Sequence, residues 1–250
     1  MRILVVNANT SDIVTEKVAA QARLSASPGT DIHAVTGTFG ARVIGSRAEH
    51  AIGEHSALAL VAEHGPGCDA VVIAVSYDTG LRAARELLSV PVVGMTEAGL
   101  LTACMLGGRI GVITFGRRVL PLYHELVAMY GLTARIAGWR TLESRAAYQR
   151  GAHDELDREL IAAANDMIER DGAESVVLTG AVMAGVPARL QKEVPVPLVD
   201  CMDCAVRQAE LLHRLALPKP TAGSYAAPTG RELVNVDEAT ARAFANAGRR

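Results

Sequence analysis

RILVVNANT at residues 2–10 returns as RIGVITFGR at residues 109–117, and the second copy decides how the first is read. Each is a short β-branched run that breaks at small polar or glycine residues and leads into a helical stretch. DAVVIAV at 69–75 returns as ESVVLTG at 174–180, and VPVVGM at 90–95 as VPLVDC at 196–201. The three blocks recur in one order at offsets of 107, 105 and 106 residues. Repetition at one offset predicts two similar α/β lobes. Function then belongs where corresponding loops of the two lobes face each other.

Between these blocks the pattern alternates. Strands are expected at residues 3–6, 32–36, 70–75 and 92–94, then at 110–114, a weaker run at 133–137, 176–179 and 198–199. Helical spacing separates them at 12–24, 47–64, 81–88, 97–106, 119–130, 152–171, 188–193 and 202–215. Such alternation specifies βαβ units and parallel sheets, hence an α/β fold of two pseudosymmetric Rossmann-like lobes with one interlobe cleft. Composition agrees. Half the chain is hydrophobic but only 4% is aromatic, so the core is built of Ala, Val, Leu and Ile, the material of sheets covered on both faces.

Gly107 and Gly108 mark the junction, giving a first lobe at 1–107, completed by the helix near 202–215, and a second at 108–201. From 217 to 250 the chain changes character. PKPTAGSYAAPTG reads as an extended arm and 237–247 as a short helix, an extension suited to packing or to a subunit contact in a homo-oligomer.

A net charge of −2 without a basic stripe argues against nucleic acid. The first apolar run is too short for a signal segment or a membrane span, so a cytoplasmic protein without a membrane partner is expected. Cys68, Cys104, Cys201 and Cys204 are too few for a disulfide framework in 250 residues. No G-x-x-x-x-G-K, G-x-G-x-x-G or H-E-x-x-H occurs, and His50 and His55 are wrongly spaced for an i, i+4 metal pair. No cofactor is therefore expected. The partner is a small-molecule substrate.

In parallel α/β sheets ligands bind beyond the carboxyl ends of the strands, where loop amides and helix N-termini converge. That rule selects NANTS (Asn7, Asn9, Thr10, Ser11), SYDTGL (Ser76, Tyr77, Asp78, Thr79, Gly80), TFGRR (Thr114, Arg118) and TGAVMAG (Thr179, Gly180, Ala181). Their short hydroxyl and amide groups suit a carboxylate or an imide carbonyl. Capping of the following helices is the plainer role, for Thr10 and Ser11 especially. His124 and Tyr123 share a helix and read as surface or packing and as core.

At these loops the chain resembles the aspartate/glutamate racemase superfamily, most closely its hydantoin and allantoin racemase branch. VVNANTS is similar to that branch's VxNPNTS, VVIAVSYDTGLRAARELL to VIACFGDPGLDAARE, GVITFGRR to its GV(I/V)TT segment, and VVLTGAVMAG to VLGCAGMA, over about residues 1–215. The resemblance implies a cofactor-independent enzyme in which two cysteines, one per lobe, act on opposite faces of a carbon next to a carbonyl. One thiolate removes a proton and the other thiol returns one. Matched motif by motif, those cysteines fall on Val75 and Gly180. Neither residue moves a proton. A related arylmalonate decarboxylase branch keeps the second cysteine, which this chain also lacks.

A positioned acid or base is worth about 10²- to 10⁴-fold, so two-thiol racemisation is lost. Three readings follow. In the first, favoured here, Ser76, Tyr77, Asp78 or Thr179 carries altered chemistry on a small carboxylate or cyclic amide. Hydrolysis of a cyclic imide or lactam, or lyase-type cleavage, is preferred over racemisation or isomerisation by substitute acid–base groups. Asp78 is the expected base if shielded from water, against the alternative that it caps or braces its own loop; Val75, Thr79, Gly80, Thr114, Arg118, Gly180 and Ala181 would line the substrate, with Gly180 clearing space and offering its N–H to an oxyanion. In the second, Cys201 or Cys204, opening a helix whose dipole lowers a thiol pKa, supplies the missing thiol, unless the pair is structural, metal-binding or redox. In the third, the cleft binds a small molecule without turnover.

Overall fold

The computed structural model describes residues 1–143, 153–228 and 233–247. The expected helix start at residue 152 and the last three residues of the extension lie outside that range. Arg2–Asn7 (β1), Asp31–Thr36 (β2), Ala70–Ile73 (β3) and Val92–Gly94 (β4) form a parallel sheet in the order β2-β1-β3-β4. Ile110–Phe115 (β5), Ile136–Leu142 (β6), Ser175–Leu178 (β7) and Leu198–Asp200 (β8) repeat it as β6-β5-β7-β8, also parallel. The repeated blocks of the sequence are therefore the same strands of two lobes.

The helices are Asp12–Ser25 (α1), Arg47–His64 (α2), Leu81–Leu87 (α3), Met95–Leu106 (α4), Leu120–Met129 (α5), His153–Asp171 (α6), Val186–Leu190 (α7), Cys201–Leu215 (α8) and Glu238–Asn246 (α9). Side chains alternate across a strand. Ile3, Val5, Ala70 and Val72 accordingly face a core that continues through Ile110, Val112, Val176 and Val177 of the second sheet, whereas Leu4, Val6, Val71 and Ile73 face a second cluster with Leu60, Val61, Leu81 and Ala84.

The lobes are joined by exchanged helices. α8, which follows the last strand of the second sheet, packs on α1, α4, β3 and β4 of the first; α4 reciprocally packs on β5, β7 and β8. The two helices meet closely at Gly99, where an added Cβ would stand 2.6 Å from Cys201 Sγ. Polar groups fix the crossing. Gln208 Nε2 donates to Ala98 O and Thr102 Oγ1, each at 2.9 Å, and Glu210, buried on α8, accepts from Ser27 N, Ser27 Oγ and Thr30 Oγ1 of the first lobe.

Two elements depart from expectation. Residues 133–135 are a 3₁₀ turn, and the weak strand runs later, over Ile136–Leu142. This edge strand hides in the sequence because Gly138 and Arg140 interrupt its apolar run. Arg140 pairs with Asp166 and Asp171, and a Cβ at Gly138 would stand 2.3 Å from Asp171 Oδ2. The seventh helix begins at Val186, earlier than expected, and ends at Leu190 in a 3₁₀ turn over Gln191–Glu193. In the extension, α9 lies on α2, with Asp237 capping it by accepting from Thr240 N and Oγ1. No helix among the described residues is long and apolar enough to cross a membrane.

Candidate active site

A cleft of about 240 Å³ opens at the carboxyl ends of β3, β5 and β7. Val75 and Gly180, the two strand-end positions, both line it, as do Ser76, Tyr77, Thr114, Thr179 and Ala181. The sheets bring these together because equivalent loops leave equivalent strands. A Cβ built on Gly180 would lie 4.0 Å from Ser76 Oγ, so the two lobes approach across a narrow gap. Gly180 itself has φ +106° and ψ 128°, a region closed to L side chains, although its surroundings would leave room for one. Where the resemblance implies a cysteine, this chain thus has a backbone that only glycine adopts freely.

Tyr123 stands at the floor, 1% exposed, with its hydroxyl close to the side chains of Thr179, Thr114 and Ser76. Burial holds this phenol well above its ordinary pKa against the pull of those partners, so it stays protonated. Thr179 Oγ1 also donates to Ile113 O at 3.0 Å. Hydroxyls from Ser76 of the first lobe and Thr114 and Thr179 of the second thus cluster around Tyr123. Sequence reading placed Tyr123 in the core, which its burial satisfies, but missed that its polar end faces the cleft. The amphipathic build of tyrosine, which needs a partner for a buried O–H, was the available signal.

Glu143, at the end of β6, is the one carboxylate among the described lining residues, and accepts from Arg117 N at 3.0 Å. It escaped notice because the strand was expected several residues earlier. Val43, Ile44 and Gly45, from the loop after β2, form the corresponding wall in the first lobe.

Asp78 is not in this cleft, which corrects its assignment as the base. It is 4% exposed and accepts from Thr96 N at 2.9 Å, Glu97 N at 2.8 Å and Tyr130 Oη at 2.6 Å. It therefore caps α4, the helix after the next strand, rather than α3. Burial pushes its pKa up to about 7, with the three donors pulling the other way. The arrangement dictates its neighbours: Asp78 has φ 49°, and a Cβ on Gly94 would stand 2.5 Å from Asp78 Cγ. In the second lobe Asp200 does the equivalent work from the N-cap itself, accepting from Met202 N and Asp203 N.

The other expected contacts divide. Asn9 lines the cleft, while the buried Asn7 braces its loop by donating to Asn9 Oδ1, Ser11 O and Thr15 Oγ1. Thr10 and Ser11 do not line it; Ser11 is the N-cap of α1, without a side-chain cap bond. Thr79 is fully buried against His50 Nδ1 at 3.1 Å, and Gly80 is the left-handed N-cap of α3. Arg118 is exposed outside the cleft.

Neither Cys201 nor Cys204 lines the cleft, so neither supplies the missing thiol. Cys201 is 1% exposed with its Sγ donating to Leu178 O at 3.5 Å. The expected lowering by the helix dipole is overruled by burial, which drives Cys201 well upward and Cys204 up to about 11.

Comparison with known proteins gives this geometry its relatives. The family model described as Asp/Glu/Hydantoin racemase matches residues 3–209. A hydantoin racemase of Paenarthrobacter aurescens is 35% identical over 237 residues, covering 94% of this chain and 100% of the relative. Among solved structures, the allantoin racemase of Pseudomonas fluorescens superposes with a TM-score of 0.89 at 34% identity, covering 94% of this chain and 100% of its own. That of Klebsiella pneumoniae gives 0.89 at 31%, covering 94% and 96%. All three bear racemase names, which supports a racemase-like enzyme and gives no support to the expected hydrolysis or lyase-type cleavage. The chain belongs to the Asp/Glu/hydantoin racemase family.

Proposed function

We propose that this protein is an isomerase for five-membered cyclic amides of the hydantoin class, exchanging the hydrogen on the carbon next to a ring carbonyl without using thiols. The hydroxyl cluster around Tyr123, in a cleft whose strand ends are Val75 and Gly180, carries the reading. Removing a proton beside a carbonyl leaves charge on its oxygen. Donors fixed in advance at that oxygen are worth about 10²- to 10³-fold each. Ser76, Thr114 and Tyr123 supply such donors, and none needs to be ionised.

The proton goes to Glu143, the carboxylate among the described lining residues, and a hydroxyl of the Ser76–Tyr123 cluster gives one to the carbon; solvent takes the proton from Glu143 and restores the one the hydroxyl gave. A carboxylate is a weaker base toward carbon than a thiolate, so turnover is slower than a two-thiol mechanism gives. The test is polarimetry: a single enantiomer of a 5-substituted hydantoin, and separately of allantoin, loses optical rotation in the presence of the protein while ring concentration stays constant. Ring hydrolysis is a second reading, favoured by the lack of a thiol at either strand end, since ring opening needs no opposed proton relay. A carbamoyl product would identify it.

A further inference from the structure

We infer that Tyr77 determines which substrate substituents fit, standing as the wall between the cleft and a second cavity that would otherwise extend it. This rests on the hydantoin reading above. The second cavity, of about 200 Å³, lies behind the ring between α3 and α5, and Tyr77 is the residue that lines both spaces. The side chain is 6% exposed and held from two sides, its ring centroid 4.8 Å from that of Tyr123 and 6.1 Å from that of His50.

The chemistry of the second cavity says what it would accept. Most of its polar groups are matched within the protein: Tyr130 donates to Asp78, Arg47 pairs with Glu125, and His50 Nε2 lies 3.5 Å from Glu54 Oε1, while Arg82 at the cavity's edge lies against Met129 Sδ at 3.4 Å. What remains for a guest is the apolar surface of Leu81, Leu122, Leu126 and Met129. That surface fits an aryl or branched alkyl arm. A ring held by the hydroxyls around Tyr123 would point such an arm at Tyr77, where the native side chain stops it. The wild-type enzyme thus prefers short substituents, and truncation of Tyr77 joins the two spaces.

Calorimetric titration of 5-methylhydantoin and 5-benzylhydantoin into wild type, Tyr77→Ala and Tyr77→Phe tests this without requiring turnover. Tyr77→Ala raises the benzyl-to-methyl affinity ratio about tenfold or more, the discrimination expected of an apolar pocket for a few carbons, whereas Tyr77→Phe keeps the wild-type ratio. Adding Met129→Trp to Tyr77→Ala refills the far cavity and brings the ratio back; Tyr77→Leu serves if the alanine variant does not fold. A ratio unchanged by truncation, or one that survives Met129→Trp, overturns the assignment while leaving the function intact. A wild type that binds neither ring overturns the function, and this inference with it.

Discussion

Tyr130, at the end of α5 in the second lobe, donates its hydroxyl to Asp78 Oδ2 of the first lobe at 2.6 Å, and the same carboxyl holds the first turn of α4. One buried side chain thus fastens a helix start and a lobe contact. A sequence match would make Asp78 the natural heir to a lost catalytic base; the structure gives it a fixed set of donors instead. Asp78→Asn keeps the left-handed backbone, which asparagine tolerates, but offers one acceptor oxygen where three donors converge. Thermal or urea unfolding is expected to show a loss of about 1–3 kcal/mol, the cost of unmade buried hydrogen bonds. Optical-rotation kinetics on the remaining folded protein at 20 °C should stay within a few-fold of wild type. Loss of activity without loss of stability would return Asp78 to the chemistry.

The same group gives stability a pH dependence of definite sign. Native Asp78 holds its proton up to about pH 7, whereas the unfolded chain releases it near the ordinary value of about 4. Folding takes up a proton between those limits, so this contribution is full below the window and declines as pH rises through it. The melting-temperature difference between wild type and Asp78→Asn should therefore narrow from pH 4.5 to 7.5. A difference that stays constant or widens would mean the carboxyl is ionised throughout.

Much of this was legible from the repeated blocks. RILVVNANT and RIGVITFGR are β1 and β5 with their loops, and their equivalence predicted both sheets and the facing positions Val75 and Gly180. What could not be read were relationships between distant segments. The exchange of α4 and α8 depends on which sheet each helix falls against, which periodicity does not encode. Asp78 sits three residues before α3 yet caps α4, because β4 returns beside β3 and brings Thr96 within its reach. Tyr123 carries a core residue's burial and a site residue's hydroxyl at once. Glu143 follows a strand whose apolar pattern is broken by its own ion-pair network.

Tyr123→Phe removes the hydroxyl that stands among Ser76, Thr114 and Thr179 while keeping the ring that packs on Tyr77. We expect kcat to fall about 10²- to 10³-fold with KM little changed, the pattern of a donor needed for the transition state rather than for binding. Steady-state polarimetry separates the two constants. A rise in KM alone would make the hydroxyl a binding group.

The two lost thiol positions should respond unequally to restoration. Val75→Cys exchanges one buried small side chain for another, and a thiol there should accelerate proton exchange by about 10²-fold or more. Gly180→Cys meets no crowding but must adopt φ near +106°, at a cost of about 1–3 kcal/mol. Its melting temperature should drop, and its activity should gain less than that of Val75→Cys. Equal gains from both variants would show that the loop at Gly180 relaxes freely.

The most direct test places one enantiomer of 5-methylhydantoin in D₂O with wild-type protein and follows the ring C–H signal by NMR alongside optical rotation. Thiol-free isomerisation predicts that deuterium replaces the ring hydrogen well above the buffer rate, that rotation decays with it, and that iodoacetamide treatment leaves both rates unchanged. Exchange no faster than buffer, or exchange abolished by iodoacetamide, would contradict it.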